Sequence, residues 1–295
     1  MPGDISLDVS ALAVFFAAQG RDLPWRRVDA GPWGVLVSEI MLQQTPVARV
    51  LPVYLQWMAR WSDPAALAIA ETGELIRVWG RLGYPRRALR LQDAARLIVS
   101  EHHGRVPSDL TELLALPGVG DYTARAVAAF AFGQRQAVVD TNIRRVLSRA
   151  VRGVNEHGPA TKADRTELEA LLPIAPPDAV VTCAALMELG AMVCTASSPD
   201  CAHCPLAPTC RWRAAGYPVG PPRRRAAQKW LGTDRQVRGQ IMAALRDISE
   251  PLAPAELATR TPSYIVDQVQ WEHCLASLIV DGLAALDHAG HVSLP

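Results

Sequence analysis

The sequence predicts an all-α protein, and three observations support this fold class. Apolar residues recur with helical spacing along most of the chain, beginning with 7–18. Helix-start signals, such as Asp63-Pro64 and Pro107-Ser108, precede several of these segments. Strand-like alternation of apolar and polar residues is weak before Leu283. We therefore expect helices to build the body of the molecule.

The composition allows two or three domains and restricts the class of protein. The chain has 295 residues, of which 49% are hydrophobic, and its net charge is +1. No apolar run reaches the roughly 20 residues that a membrane span needs. The N-terminus MPGDISLDVS lacks the basic-then-apolar pattern of a signal peptide. These features predict a cytoplasmic protein.

Positive charge is concentrated in local stripes, although the chain is nearly neutral. Residues 81–96 carry five Arg against one Asp, and residues 211–235 carry six Arg and Lys229 against Asp234. These stripes are the only electrostatic argument for a polyanionic partner. Their alternative interpretation is that they are solvated helix faces.

The predicted helices follow one another at ordinary spacing. Before the cysteine-rich region they cover 7–18, 33–44, 47–60, 64–70, 72–78, 86–102, 110–114, an Ala-rich segment after 120, 141–151, 162–172 and 180–193. The segment 33–44 is apolar nearly all round, which predicts burial on most faces. Glu39 lies within it, where a carboxylate is rare unless it is paired or lines a site. Burial would raise its pKa and suit a general acid; the alternative is a Glu that reaches solvent from a partly exposed helix.

A turn at Gly118-Val119-Gly120 separates two of these helices. Glycine allows a sharp reversal, and the first N–H groups of the next helix lack internal partners. Such a hairpin can hold a DNA phosphate by main chain alone, without reading sequence. Asp140 ends an apolar run downstream, so one hypothesis is a clamp that delivers a nucleic-acid backbone to this carboxylate. The alternative is a helix–helix corner followed by an Asp N-cap.

The loop at 80–85 places Leu82 and Tyr84 between arginines. An apolar or aromatic tip of this kind can wedge into a base stack. The alternative is core packing at a helix junction.

Four of the six cysteines, Cys194, Cys201, Cys204 and Cys210, form a C-x6-C-x2-C-x5-C pattern. In a cytosolic protein this clustering predicts a metal site. Four thiolates suit tetrahedral Zn or an iron–sulfur cluster, and the compact single loop favours [4Fe–4S] over Zn. His203 is expected on the surface. Cys183 and Cys274 are isolated and are expected to be small buried residues.

The chain after 222 predicts three helices, with Val237, Ile241 and Leu245 on one face of the first, and then a hairpin over 283–294. This order suggests a winged helix. From 237 onward the sequence has three Arg and seven carboxylates, which gives a net charge of −4. That charge favours a packing or partner-binding role over DNA binding, and makes the linker 223–229 the better candidate for a backbone contact.

In combination, these motifs resemble the endonuclease III (helix-hairpin-helix) superfamily of DNA glycosylases, and within it the MutY-type adenine glycosylases. The resemblance covers roughly 23–212. Its motifs are LPW at Leu23, SEIMLQQT at Ser38, LGY at Leu82, LPGVG at Leu116, VDTNIRRV at Val139 and MELGAMVC at Met187. It implies a core over 1–215, with a six-helix barrel at about 30–136 and an iron–sulfur helical domain from 1–29 plus 137–215. A basic linker over 216–236 and a winged-helix-like module over 237–295 complete the predicted division.

The resemblance implies a base-excision repair enzyme that removes adenine opposite 8-oxoguanine or guanine in duplex DNA. Glu39 would protonate adenine N7, and Asp140 would stabilise the oxocarbenium character of the sugar. Tyr122 and Asn142 would line the pocket. Tyr122 stands where lyase members carry a Schiff-base lysine, which implies a monofunctional glycosylase.

Other motif residues would contact DNA once the base is flipped out. The residues expected there are Gln43, Gln44, Leu82, Tyr84 and the hairpin Gly118, Val119 and Gly120. The chain departs from the family pattern at Thr141, where Gly is usual, and at Ala184, where many members have Gln. The region after 222 does not look like the NUDIX-like module of many MutY proteins.

Two alternatives remain at this point. A T:G mismatch glycosylase of the same superfamily can also carry Tyr at the hairpin, but protonation by Glu39 is purine chemistry. A non-catalytic iron–sulfur DNA-binding protein would not need both Glu39 and Asp140. A monomer is expected, with a possible protein partner for the C-terminal module.

Overall fold

The computed structural model describes residues 7–156, 158–220, 231–261 and 267–295, and these ranges are mainly helical. This confirms the predicted fold class. The helices before residue 220 are α1 Val9–Gln19, α2 Gly31–Leu42, α3 Val47–Arg60, α4 Pro64–Ala68, α5 Thr72–Trp79, α6 Arg86–Glu101, α7 Leu110–Ala115, α8 Asp121–Phe132, α9 Thr141–Val146, α10 Lys162–Leu171, α11 Pro176–Met192 and α12 Arg211–Ala214. The C-terminal elements are α13 Asp234–Asp247, α14 Pro254–Thr259, α15 Gln268–Val280, β1 Ala285–Leu286 and β2 Val292–Ser293.

Local sequence signals fix several helix ends. Asp63 caps α4 by accepting from the Ala66 N–H, and Thr161 forms a capping box with Asp164 at the start of α10. Gly133 ends α8 in the left-handed conformation. The helix predicted to begin at Val180 begins at Pro176 instead, because proline is well suited to the first turn.

The chain divides into two compact units. The first contains Met1–Glu39, Pro107–Ala115 and Val119–Arg224, and the second contains Ile40–Val106, Leu116–Gly118 and Arg225–Pro295. These bounds differ from the predicted division into barrel, cluster domain, linker and module, which stays a prediction. The linker 223–229 lies outside the described residues.

The first unit is built around α11, which packs against α1 and α9. Its core joins Leu12, Phe15, Ile143 and Leu186, all buried. Gly190 allows the close approach of α11 to α9, since a Cβ there would lie 2.7 Å from the Asn142 Cβ and 2.8 Å from its carbonyl oxygen. A larger residue at this position would push the two helices apart.

The second unit contains α3 to α6 and the C-terminal elements. Trp57 contacts the rings of Trp61 and Trp79 edge-on, with centroids 4.6 and 5.6 Å apart. In the C-terminal part, α13 packs against α14 and α15, β1 pairs antiparallel with β2, and Leu252 bridges Val292. The three helices and the hairpin expected after residue 222 are present in the described ranges, and the winged-helix-like module stays a prediction. No helix in the described ranges combines the length and apolar character needed to cross a bilayer.

Candidate functional site

Glu39 is buried on α2, with 7% of the residue exposed, and its carboxyl forms a hydrogen bond with the hydroxyl of Tyr122 on α8. The alternative of a Glu that reaches solvent is therefore wrong. Burial raises the pKa of Glu39 to about 7; the Tyr122 hydrogen bond opposes this shift and the charge of Asp140 adds to it. A carboxyl with this pKa is partly protonated at neutral pH, as a general acid requires.

Asp140 is the N-cap of α9, as the alternative interpretation predicted. Its Oδ1 accepts hydrogen bonds from the N–H groups of Asn142 and Ile143 at 2.9 and 2.7 Å. Its Oδ2 accepts from Asn142 Nδ2 at 2.8 Å. Burial raises the pKa of Asp140; these three hydrogen bonds oppose the shift by stabilising the charged form, but burial outweighs them. Capping does not exclude a role in the site, because the Asp140 charge acts on Glu39.

Arg145 connects the Asp140 cap to the cysteine region. Its Nη2 donates to Asn142 Oδ1 at 2.7 Å and to the Gly190 carbonyl at 2.5 Å, and its Nε donates to the Cys194 carbonyl at 2.6 Å. The orientation of the Asn142 amide is thus fixed from both ends. This residue was not predicted, and its place in the VDTNIRRV motif was the only signal.

A second charged group missed by the sequence analysis surrounds Glu188, whose side chain is fully buried. Arg21 contacts its carboxylate at 2.5 Å and Arg26 at 2.8 Å. Burial alone would raise the pKa of Glu188, but the hydrogen bonds from Arg21 and Arg26 outweigh it and lower the pKa to about 2. Arg26 also lowers the pKa of Glu39, so this ion-pair group contributes to the electrostatics of the acid. The sequence signals were the Arg after LPW and the Glu of MELG.

The hairpin has the backbone that its glycines predicted. Gly118 has φ of +81°, and a Cβ there would lie 3.0 Å from the Arg90 Cβ. Both the backbone conformation and the lack of space therefore favour glycine. Gly120 is the extended N-cap of α8, where a Cβ would meet nothing within 4 Å. The Val119 side chain is buried, which leaves its main chain for any phosphate contact. Gln43 Nε2 donates to the Gly118 carbonyl at 3.4 Å.

Two of the predicted DNA contacts have strained backbones. Gln44 has φ of +55° and Tyr84 has φ of +47°, a region that side-chain-bearing residues seldom adopt. Such strain often accompanies functional positions. Tyr84 is 48% exposed, but Leu82 is only 4% exposed. The structure therefore corrects the prediction for Leu82: its side chain packs inside, and of these two residues Tyr84 is the one that faces solvent.

Arg87 holds the segment after α2 and the loop of Tyr84 together. Its buried guanidinium donates to the carbonyl oxygens of Ile40, Met41 and Gln43 at 2.9, 3.0 and 2.6 Å, and to that of Gly83 at 3.0 Å. Since carbonyl groups at a helix end lack intrahelical partners, this residue caps α2. It was not predicted as part of the site.

The four predicted ligands Cys194, Cys201, Cys204 and Cys210 all line one pocket in the first unit. All four cysteines lie within the described ranges. Burial raises the pKa of Cys204 to about 11. His203 is exposed beside Asp200, and Cys183 and Cys274 are buried, as predicted.

Arg149 is buried against this pocket. Its Nη1 donates to Cys194 Sγ at 3.5 Å and to the Thr195 carbonyl at 2.7 Å. Its guanidinium lies 4.6 Å from the centroid of the Trp212 ring. An N–H donor to a thiolate sulfur is the kind of neighbour that tunes a metal–sulfur centre.

A buried acid, a capped carboxylate, a glycine hairpin and four clustered cysteines together define a class of DNA repair protein. Residues 37–173 match the family model described as HhH-GPD superfamily base excision DNA repair protein. The chain is 49% identical over 290 residues to the adenine DNA glycosylase of Mycobacterium tuberculosis, covering 96% of this chain and 92% of that protein. The chain belongs to the adenine DNA glycosylase family of this superfamily.

Solved structures support the same fold. A thermostable thymine-DNA glycosylase is similar with a TM-score of 0.64 and 30% identity, over 70% of this chain and 95% of that one. A trapped covalent intermediate of endonuclease III with DNA is similar with a TM-score of 0.61 and 26% identity, over 71% and 95%.

Proposed function

We propose that this protein removes adenine mispaired with 8-oxoguanine or guanine from double-stranded DNA, as the first step of base-excision repair. The observation that carries the proposal is the buried pair of Glu39, whose pKa is about 7, and Asp140, whose carboxylate accepts three hydrogen bonds. The relative named adenine DNA glycosylase, matched over nearly its whole length, supports the choice of base. The substrate implies a cytoplasmic, nucleoid-associated location.

The chemistry begins with Glu39, which delivers its proton to N7 of adenine and makes the base a good leaving group. Its pKa of about 7 keeps a usable protonated fraction at neutral pH. Three hydrogen bonds stabilise the charged form of Asp140, and this carboxylate stabilises the oxocarbenium-like sugar. Water then completes hydrolysis of the N-glycosyl bond.

The reaction ends at an abasic site. Lyase chemistry needs an amine that forms a Schiff base with the sugar. The sequence contains two lysines, Lys162 and Lys229, and Lys162 is exposed at the start of α10. Tyr122 occupies the place beside Glu39, and burial raises its pKa well above the ordinary value, so its hydroxyl stays protonated. A monofunctional glycosylase follows.

The spacing of the four cysteines favours a [4Fe–4S] cluster over a single Zn ion. Structural Zn sites usually carry paired short knuckles, whereas here only Cys201 and Cys204 form one. The compact single loop suits a cluster wrapped by one segment. Cys194, Cys201, Cys204 and Cys210 would hold the cluster, which would serve as a structural centre, and Arg149 would donate to one of its sulfurs. Iron, sulfide and zinc analysis of an anaerobic preparation tests the assignment: stoichiometric Zn without iron would refute it.

DNA binding is proposed through the hairpin main chain and through Gln43, Gln44 and Tyr84. The open surroundings of Gly120 and the strained backbones of Gln44 and Tyr84 support these contacts. A monomer is proposed, and a protein partner for the C-terminal module stays a prediction. Thymine opposite guanine is the alternative substrate, favoured by the structural similarity to a thymine-DNA glycosylase.

Single-turnover cleavage of duplexes that contain A:8-oxoguanine, A:G or T:G tests the proposed function. The wild type should remove adenine from the first two duplexes, so that alkaline treatment of the product then cleaves the strand. It should leave T:G intact. Without that treatment, the strand should remain whole. Cleavage of T:G with no cleavage of A:8-oxoguanine would overturn the proposal.

A further inference from the structure

The C-terminal part of the chain is fixed to helices α5 and α6 within the second unit. Arg77 Nη2 donates to the Ile248 carbonyl at 3.2 Å. Asp281 pairs with Arg86 of α6 at 3.3 Å and with Arg238 of α13 at 2.6 Å. At Gly73, a Cβ would lie 2.7 Å from the carbonyl oxygen of Pro295. These contacts hold α13 in a definite position against the helices that carry the Tyr84 loop.

This position brings Arg235, at the start of α13, to the exposed ring of Tyr84. Its guanidinium carbon lies 5.2 Å from the ring centroid, and that of the buried Arg87 lies 5.8 Å from it. Tyr84 therefore contacts one guanidinium from its own helix junction and one from the C-terminal region. A guanidinium can stack through its face and donate hydrogen bonds through its edge at the same time.

Further arginines surround the same loop. Arg49 donates to the carbonyl oxygen of Arg81. Burial lowers the pKa of Arg246 on α13, its neighbour Asp247 opposes this, and the charge of Arg81 lowers it further. Burial likewise lowers the pKa of Arg87 to about 10, with a contribution from Arg49. Like charges held this close create a local positive potential that suits a polyanion.

We propose that α13 is part of the DNA-binding surface, and that Arg235 positions the Tyr84 ring and contacts a phosphate of the strand beside it. Arg81 and Arg246 supply additional positive potential. The inference rests on the proposed function, because it assumes that Tyr84 meets the duplex. It also replaces the interpretation drawn from the net charge of the C-terminal module, since phosphate binding depends on the local surface and not on the sum over the module.

The test compares Arg235→Gln with Arg260→Gln, a matched control in the same module. Arg260 is exposed and lies 3.7 Å from Glu256, four residues earlier in the chain. Binding to an A:8-oxoguanine duplex is measured over a range of salt concentrations in a Glu39→Gln background, which leaves the substrate intact. Arg235→Gln should weaken binding about three- to fivefold and reduce the slope of log K against log salt by about 1. Equal behaviour of the two variants would overturn the proposal.

A double-mutant cycle tests the link to Tyr84. If Arg235 acts through the ring, its replacement should have a smaller effect on binding in a Tyr84→Ala background. An effect of undiminished size would contradict the positioning role. Failure of the proposed function is distinguished separately, because it would appear as wild-type protein that does not cut A:8-oxoguanine, whatever the Arg235 variant does.

Discussion

Asn142 Nδ2 donates a 2.8 Å hydrogen bond to Asp140 Oδ2, while the Asn142 N–H donates to Asp140 Oδ1 at 2.9 Å. One residue thus engages both oxygens of the carboxylate. Because Arg145 fixes the Asn142 amide and also donates to the Cys194 carbonyl, two residues connect Cys194 to the Asp140 carboxylate. The connection explains how a cysteine loop can support a site whose chemistry it does not perform.

The rate of base removal should depend on the protonation of Glu39. Since its pKa is about 7 and the protonated form is the acid, the single-turnover rate should be highest below pH 7 and fall about tenfold per pH unit well above it. Glu39→Gln should be about 10² to 10⁴-fold slower and should lose this alkaline limb. A pH–rate series from pH 5 to about 9 on the A:8-oxoguanine duplex checks both points; an unchanged limb in the variant would assign it to another group.

Tyr122→Phe should shift the same limb toward higher pH. The Tyr122 hydroxyl stabilises the charged form of Glu39, so its removal leaves burial and the Asp140 charge to raise the Glu39 pKa further. The rate at low pH should change less than the midpoint of the profile. A midpoint that moves toward acid would show that Tyr122 acts on Glu39 in the opposite sense.

Asp140→Asn and Asp140→Ala should separate the two duties of this residue. Asn is also a good N-cap, so Asp140→Asn should leave thermal stability nearly unchanged and still abolish most of the cleavage. Asp140→Ala should lose cleavage and about 1 kcal/mol of stability as well. Denaturant unfolding, together with single-turnover rates, measures the two effects; substantial activity in Asp140→Asn would remove the need for a negative charge.

Gly190→Ala should destabilise the first unit by roughly 1 to 3 kcal/mol, because the added methyl would overlap the Asn142 backbone and side chain. Displacement of Asn142 should also slow cleavage, because Asn142 donates to the Asp140 carboxylate. Gly239→Ala is the matched control, since a Cβ on this glycine of α13 meets nothing within 4 Å. Unfolding curves of the two variants give the comparison. Equal stability of Gly190→Ala and wild type would mean that the helices separate without cost.

Cys204→Ser should lower the iron content of the purified protein and its visible absorbance. Cys274→Ala, which removes a buried cysteine of the C-terminal module, should keep full iron content. Iron analysis and absorbance spectra of both variants are the measurements. Loss of iron in both, or in neither, would argue against the proposed ligand set.

Several features were predictable because their signals are local in the sequence. The helices follow apolar periodicity and caps, and the hairpin follows two glycines at positions that a side chain would strain or crowd. Glu39 was predictable as buried because the residues around it are apolar on nearly every face. Leu82 was wrongly placed at the DNA surface, because a loop pattern does not determine which of two apolar residues turns inward.

The sequence by itself determined the all-helical fold class, the four cysteines proposed as cluster ligands, and the two carboxylates, Glu39 and Asp140, proposed for catalysis. Only the tertiary structure decided which distant groups shift the pKa values of the site and set the charge of the surface around it. The ion pairs of Glu188 with Arg21 and Arg26 join residues more than 160 positions apart, and the contact of Arg235 with Tyr84 joins α13 to a distant loop. Periodicity and spacing describe one segment at a time, whereas pKa values and surface potential arise from groups that folding brings together.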